Sequence, residues 1–484
     1  MPPVPLPSPL LAIGSVMGAS IAGRFLRFVK VLAVARLLGP ESYGAFAALV
    51  VLINYAQLLE LGSSTAAFRD LASAVGRGDA REAWRAAGRM ATLKLAAAVL
   101  LGVGAIVASS WPGVPHPLRQ GLVALPAIAL SSALLSQVLL HLQAEGRAHE
   151  YGRVTALAAA SDLVLCVGLT AVWGLVGLLA ASAASPVLAL VWAARRRALA
   201  PPRVVAMPLL GRYVRAGVPL AALALLDQGL LSVDQVLVMT FFSLRELGLY
   251  NVALVPAEAV RTLGVAAGAV LGPRLLREHA RSGGSLAAIR RHTLRPVLLY
   301  AGALPLPLAL LWIAGGYALP RFYPAYAEAV KPMQVLLLAS SFLVVLGGIT
   351  TFLFAIDKHA RNLLFLAPAL ALNVAIDLVL LRFGWGLMAI AAGSLVTYFG
   401  YAAAVLWYVS GHFEMGRLAR VEFLVGALLP GIGLGGALGL LERYIAYRGS
   451  LVTTAAALAL FAALCAPLAL RALRLARTLD DVRT

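Results

Sequence analysis

VTALAAASDLVLCVGLTAVWGLVGLLAASAASPVLALVWAA, residues Val154–Ala194, runs for 41 residues with a single charged side chain, Asp162. A transmembrane helix takes about 20 mostly apolar residues. The stretch therefore reads as two spans, 154–173 and 175–194, with Gly174 as the turn signal between them. A chain that can fill two successive spans this way is an all-α integral membrane protein.

The same reading extends outward in both directions. Spans are predicted at 10–35, 44–68, 90–110, 121–142, 216–240, 247–272, 296–314, 333–355, 362–381, 386–409, 421–441 and 450–470. With the opening pair they make fourteen. Phe383-Gly384-Trp385-Gly386 is a second short turn signal, between 381 and 386.

Composition agrees. Of 484 residues, 61% are hydrophobic and 13% charged, and the mean hydropathy is +0.89. Soluble chains average about 45–50% apolar and about 25% charged. A water-soluble fold could not clothe its surface from this stock. The Pro-rich, uncharged start, Met1–Pro9, lacks the basic region and cleavage site of a signal peptide, so the first span is expected to remain in place. Cys166 and Cys465 lie in apolar stretches and outside any CxxC, and read as small core residues.

The net charge of +19 alone would suggest nucleic acid or acidic lipid. Its distribution argues otherwise. With a cytoplasmic N-terminus, 27 of the 40 Lys and Arg fall in inside loops and the tail, 8 in outside loops and 5 within spans. That bias places both termini in the cytoplasm, supports an even span count and accounts for the charge. Nucleic acid is dropped as a partner.

The chain also repeats itself. At an offset of 204, Gly44 meets Gly248, Leu71 meets Leu275, Arg77 meets Arg281, Ala83 meets Ala287, and Phe46 faces Tyr250. At 212, Trp173-Gly174 meets Trp385-Gly386 and Glu145 meets Asp357. Spans 1–6 (1–197) and 7–12 (216–412) are read as related lobes. A cytoplasmic linker (198–215) joins them, and 413–484 add spans 13 and 14 and a cytoplasmic tail. Both lobes begin on the cytoplasmic side. Transporters with repeats of this kind hold substrate between the halves.

Ionisable residues within spans each cost about 2.5–3.5 kcal/mol at a helix centre, so they mark the candidate sites. Arg24, Arg27 and Lys30 in span 1 sweep a sector of about 120° over about 9 Å. As three uncompensated cations on one wall they suit an anionic ligand, and a diphosphate matches guanidinium forks. Lys30 has a second reading, snorkelling to a headgroup region. Span 8 carries Glu258 and Arg261 at i, i+3. They are either a self-neutralising pair or a device presenting Arg261 to the anion.

Span 7 carries Asp227 and Asp234 on nearly one face. Span 11 carries Asn373 and Asp377 at i, i+4, and in span 12 Ser394 follows Ile390 by one turn. Such oxygen donors suit a small hard cation or a proton. For Asn373 and Ser394, ordinary interhelical hydrogen bonding is the alternative. Asp162 and Glu60 are isolated acids, read as cavity lining. The chain has no GxxxxGK[ST], HExxH or GxSxG, and its seven His show no metal spacing.

Ala35-Arg36-Leu37-Leu38-Gly39-Pro40-Glu41-Ser42-Tyr43-Gly44 resembles the polysaccharide transporter family, as does the segment Glu246-Leu247-Gly248-Leu249-Tyr250. These are the O-antigen and exopolysaccharide flippases of the MOP superfamily, which also holds lipid II flippases and MATE drug exporters. The resemblance implies a V-shaped fold of two lobes with a central cationic cavity. It implies translocation of undecaprenyl-diphosphate-linked oligosaccharide across the bacterial inner membrane, driven by Na+ or H+ or by the membrane potential, with membrane lipids and polysaccharide polymerase or export machinery as partners. Arg24 and Lys30 match two basic positions of lipid II flippases. Asp234, Asn373, Asp377, Ile390 and Ser394 match the sodium site known in some of them. Gln57 stands where those proteins carry an Arg in span 2, and their span 8 Arg falls near Leu254 here, seven residues before Arg261. These departures favour a polysaccharide repeat unit over lipid II. The basic span 1 speaks against a drug exporter of organic cations, the number of ionisable residues within spans against a scaffold, and the short outside loops against a saccharide polymerase or ligase.

Overall fold

The computed structural model describes residues 9–56, 63–195 and 210–444, and beyond them Ala463, Pro467 and Leu470. Among these residues the regular structure is helical, with no strand. The first five helices are α1 (Pro9–Ala56), α2 (Ser63–Gly76), α3 (Ala80–Ser109), α4 (His116–Ala144) and α5 (Ala148–Arg195). Then follow α6 (Leu210–Phe241), α7 (Leu244–Arg281), α8 (Leu286–Ala303), α9 (Pro305–Phe322) and α10 (Val330–Val345). The last are α11 (Ile349–Ala355), α12 (Leu363–Arg382), α13 (Leu387–Ser410) and α14 (Arg417–Tyr444).

Ten helical stretches of the described residues are long and apolar enough to cross a bilayer. Several expected spans are fused in that number, since α1 and α5 each hold two. The helix α7, expected as span 8, is not among the ten, and its side chains at 265–267 and 269–270 lie outside the described residues. Expected span 14 apart from the three positions named above, residues 198–209 of the linker, Cys465, Gln57 and Glu60 lie outside the described residues, and the rest of the linker, 210–215, opens α6.

The opening stretch resolves as read. A straight helix of 48 residues, the length of α5, would run about 72 Å, more than twice the hydrocarbon core. Gly174 breaks it, with φ 55° and ψ −133°. The two segments then fold back on each other. Ser185 donates from Oγ to Asp162 Oδ1 at 3.2 Å, although a straight helix would hold these residues about 35 Å apart. A Cβ on Gly177 would stand 2.0 Å from the Leu169 carbonyl oxygen. The second half makes the same turn: α12 and α13 pack together through Phe383–Gly386, and Gly386 has φ 57° and ψ −141°. Two Trp-Gly pairs thus share a backbone conformation that a residue with a Cβ rarely adopts.

Other breaks keep the repeat. In α1 the helix interrupts at Gly39 (φ 73°) and resumes at Pro40. The gap between α6 and α7 resumes at Leu244, 204 residues later. A Cβ on Gly44 would meet the Leu244 carbonyl oxygen at 1.7 Å, and one on Gly248 would meet the Pro40 carbonyl oxygen at 2.0 Å. The contact is reciprocal between matched positions, which explains why both are glycine. One register shifts. The residue in left-handed conformation after the helix is Gly146 (φ 70°) in the first half and Asp357 (φ 53°) in the second. The match upstream of the Trp-Gly turns is therefore 211 residues, with Gly146 opposite Asp357, where sequence alone aligned Glu145. The turn residues Phe383–Gly386 absorb the difference.

Two expected spans are interrupted. Span 9 lies across α8 and α9, which divide where Pro305 cannot donate a helical hydrogen bond. Span 10 divides at Gly347-Gly348, between α10 and α11.

The chain forms two compact units. Unit 1 comprises residues up to Gln228 together with Phe241–Gly248, and unit 2 comprises Gly229–Thr240 and everything from Leu249. In unit 1, α5 packs on α1 and α4, and α3 on α2 and α4. Ala45, Leu49, Leu122, Leu125, Ile128, Leu175 and Leu179 form one of its buried clusters. In unit 2, α13 packs on α10 and α12, and α14 packs on α8.

Candidate functional site

Three helices of unit 2 bring together four residues far apart in sequence. Asp234 comes from α6, Asn373 and Asp377 from α12, and Ser394 from α13, and each is at most 1% exposed. The i, i+4 spacing puts Asn373 and Asp377 on one face of α12, and Asn373 Nδ2 donates to Asp377 Oδ2 at 3.2 Å. On α13, Ser394 donates from Oγ to Asp234 Oδ2, which also accepts from Tyr250 Oη at 2.7 Å. Tyr398 Oη donates to the Leu230 carbonyl at 3.0 Å, tying α13 to α6 one turn before Asp234. Ile390 is buried one turn before Ser394.

One oxygen of each key group is left over. Asp234 Oδ1, Asn373 Oδ1, Asp377 Oδ1 and Thr397 Oγ1 are buried and have no hydrogen-bond partner among the described residues. A buried polar atom left unsatisfied costs about 1–3 kcal/mol, more when charged. The carboxyls of Asp234 and Asp377 also act on each other electrostatically. Gly393 makes room for the group: a Cβ there would lie 1.7 Å from Asp377 Oδ1 and 3.5 Å from Asn373 Nδ2. Two carboxylates, an amide oxygen and a hydroxyl fit a small hard cation or a proton. No group of three or more His, Cys, Asp or Glu suited to a metal ion occurs among the described residues. A soft or transition metal is not what this set is built for.

Thr397, Tyr250 and Gly393 were not singled out as ligands or supports from sequence. Thr397 could have been, since it lies three residues after Ser394 and so on the same helical face. Tyr250 stood out as a repeat position and within the family-like segment 246–250, but not as a partner of Asp234. The role of Gly393 depends on how closely α13 approaches α12, which no sequence pattern encodes. Asp227, expected on the face of Asp234, is exposed while Asp234 is buried. The environment of α6 changes along its length more than its residue spacing shows.

The basic cluster of span 1 divides. The Arg24 side chain lies outside the described residues, and Arg27 is exposed. Lys30 is not an uncompensated cation: its Nζ donates to Asp162 Oδ2 at 2.7 Å, across from α1 to the first segment of α5. The expectation of three free cations on one wall is corrected here, because a sequence shows which charges a span holds but not which neighbouring helix brings a partner. Asp162, read as cavity lining, is that partner. Its Oδ1 accepts from Ser185 Oγ and, at 3.3 Å, from Cys166 Sγ. In unit 2, Arg261 Nη2 stands 3.6 Å from Glu258 Oε1, a loose pair whose Glu side chain is 58% exposed. Arg261 also acts electrostatically on the buried Asp234, so its charge belongs to that cluster as well as to Glu258.

Comparison with known proteins adds the following. A family model described as polysaccharide biosynthesis protein matches residues 33–275. No curated protein matches the chain significantly. Among solved structures, the lipid II flippase MurJ in an inward closed conformation is similar, with TM-score 0.66 and 12% identity, covering 93% of this chain and 98% of that one. An inward-facing multidrug resistance MATE family transporter of the MOP superfamily is similar at TM-score 0.63 and 14% identity, over 80% and 95%. A MOP superfamily transporter from Pyrococcus furiosus, described as having a binding pocket of reverse polarity, gives 0.56 and 16%, over 84% and 96%. At these identities the likeness is one of fold.

Proposed function

We propose, from the premise that this chain belongs to the polysaccharide biosynthesis protein family, that it is a flippase for undecaprenyl-diphosphate-linked oligosaccharide repeat units. It moves them from the cytoplasmic to the outer leaflet of the bacterial inner membrane. Family and fold support a flippase or transporter and not an enzyme. The excess of basic residues in alternate loops supports cytoplasmic termini. The oligosaccharide, once flipped, passes to polymerase or export machinery.

The observation that carries the reading is the set of unpartnered buried oxygens on Asp234, Asn373, Asp377 and Thr397. Packing alone would favour apolar side chains there. A cation that enters and leaves, Na+ or H+, gives the oxygens a partner for part of the cycle. Its binding stabilises one arrangement of the helices over another, which is how a gradient drives alternating access. Asp234, Asn373, Asp377 and Ser394 are the proposed ligands, Thr397 joins them, and Ile390 supplies a backbone carbonyl. The diphosphate is met by Arg24 and Arg27, while Arg261, steadied by Glu258, offers a further guanidinium in unit 2. Lys30 leaves the ligand set, because its ammonium is already engaged by Asp162.

The test is transbilayer movement of a fluorescent polyprenyl-diphosphate oligosaccharide in proteoliposomes. Wild type should flip it faster than empty vesicles, and Arg27→Ala should be slower at low substrate. Lipid II moved in preference to every oligosaccharide lipid tried would replace the polysaccharide reading with the lipid II one. An organic cation exported in place of either lipid would point to a MATE-like exporter.

A further inference from the structure

The two halves place polar side chains at matched positions, and the exchange of Lys30 for Asp234 reverses the charge brought to the cluster. Lys30 on α1 and Asp234 on α6 are 204 residues apart, the offset at which Gly44 meets Gly248. Asp162 and Cys166 stand 211 residues before Asn373 and Asp377, the offset set by Gly146 and Asp357. Ser182 and Ser185 stand 212 residues before Ser394 and Thr397, the offset set by Gly174 and Gly386. All five matched positions follow offsets fixed by the backbone and not chosen for the purpose.

One contact is shared: Cys166 bonds Asp162 in the first half as Asn373 and Asp377 bond each other in the second. In the second half the α12–α13 hairpin offers oxygens beside Asp234, and a set of them lacks partners. In the first half the α5 hairpin offers Asp162 Oδ1 and Oδ2, Ser185 Oγ and Ser182 Oγ. Ser182 lies 3.9 Å from Cys166 Sγ. Into this cluster comes the Lys30 ammonium, 2.7 Å from Asp162 and only 14% exposed.

We infer that the α1–α5 cluster of unit 1 is a cation site held permanently filled by its own lysine. The Lys30 ammonium is a tethered monovalent cation, standing where the second half leaves room for a free one. The inference rests on the cation reading of the second-half cluster. One half is fixed in its loaded state and the other exchanges, so a single ion site per chain responds to the gradient. Removing the amine while keeping its carbon stem should open the Asp162 cluster to a small cation from solution.

The experiment is saturable binding of radioactive sodium to purified full-length protein in an Asp377→Asn background. Adding Lys30→Met should create a sodium-binding component absent without it, and adding Asp162→Asn to that variant should remove it. No new component with Lys30→Met, or one that survives Asp162→Asn, overturns the proposal. Loss of wild-type sodium binding on Asp377→Asn is read separately and bears only on the second-half site. If Lys30→Met does not accumulate, Lys30→Ala is purified in methylammonium. The proposal then requires that methylammonium raise its melting temperature, tetramethylammonium do so far less, and Asp162→Asn abolish the difference. Equal effects of the two ions overturn it.

Discussion

Unit 1 and unit 2 answer the same problem, a charge inside an apolar hairpin, in opposite ways. In unit 1 the Asp162 carboxylate is closed by Lys30, Ser185 and Cys166. In unit 2, Asp234 and Asp377 share helices with neighbours that satisfy one oxygen of each and leave the other open. Charges within a membrane are costly in either case. A closed pair is a structural element; an open set requires something that is not part of the chain. The difference teaches that the count of buried ions says little about function until each is traced to its partner.

The comparison breaks first at the open set. Asp377→Asn and Asp234→Asn each remove a charged ligand, and a contact to a charged group contributes about 1.5–3 kcal/mol. Sodium or proton binding should weaken by about 10- to 100-fold, measured by direct binding or by cation-dependent thermal stability. The fold should survive, because the amide keeps the shape. Gly393→Ala sharpens the same point without touching a charge. Its methyl would press on Asp377 Oδ1, and overpacking of this kind costs about 1–3 kcal/mol, so both melting temperature and cation affinity should fall.

At the closed set the order of effects inverts. Lys30→Met should lower stability by roughly 1–3 kcal/mol, less than the full cost of breaking a buried pair because Asp162 is 27% exposed. In the presence of sodium part of that loss should return. A melting curve with and without salt, using choline chloride as the ionic-strength control, reads it.

The twin turns test the repeat itself. Gly174→Ala and Gly386→Ala place a Cβ at nearly the same unfavourable φ and ψ, and each should cost about 1–3 kcal/mol. The two losses in thermal stability should be alike, since neither glycine has a neighbour within 4 Å of the added atom. Unequal losses would mean the hairpins are not equivalent.

The smallest effect lies in the loop after α4. His141 donates to Glu145, and Arg147 also bonds it, so the Glu145 carboxyl is held below its ordinary value. A lowered folded-state value gives stability that is present above the ordinary carboxylate range near about 4.3. It is lost as pH falls through the lower value. The side chain is about one-third exposed, so the contribution is about 0.5 kcal/mol or less. Glu145→Gln should flatten the acid limb of the melting profile by that amount.

Much of this was legible in the sequence. Apolar length gave the spans, Gly174 and Gly386 the turns, and the i, i+4 spacing of Asn373 and Asp377 a shared face. Those are local signals, governed by helix geometry. What could not be read were the partners that meet across helices: Lys30 with Asp162, Tyr250 with Asp234, Gly393 beside Asp377. Residues 132 apart in the first of these pairs meet through packing that no local period records. The repeat supplied a route that the span-by-span reading did not use. Lys30 and Asp234 share a position, and so do Asp162 and Asn373.

The most direct measurement is flipping of the labelled oligosaccharide lipid under an imposed sodium gradient, and under a proton gradient, for Asp377→Asn against Asp162→Asn. The account predicts that Asp377→Asn loses its response to the driving gradient while Asp162→Asn keeps it. A gradient response that survives Asp377→Asn and disappears with Asp162→Asn would contradict it, and would move the exchanging site to unit 1.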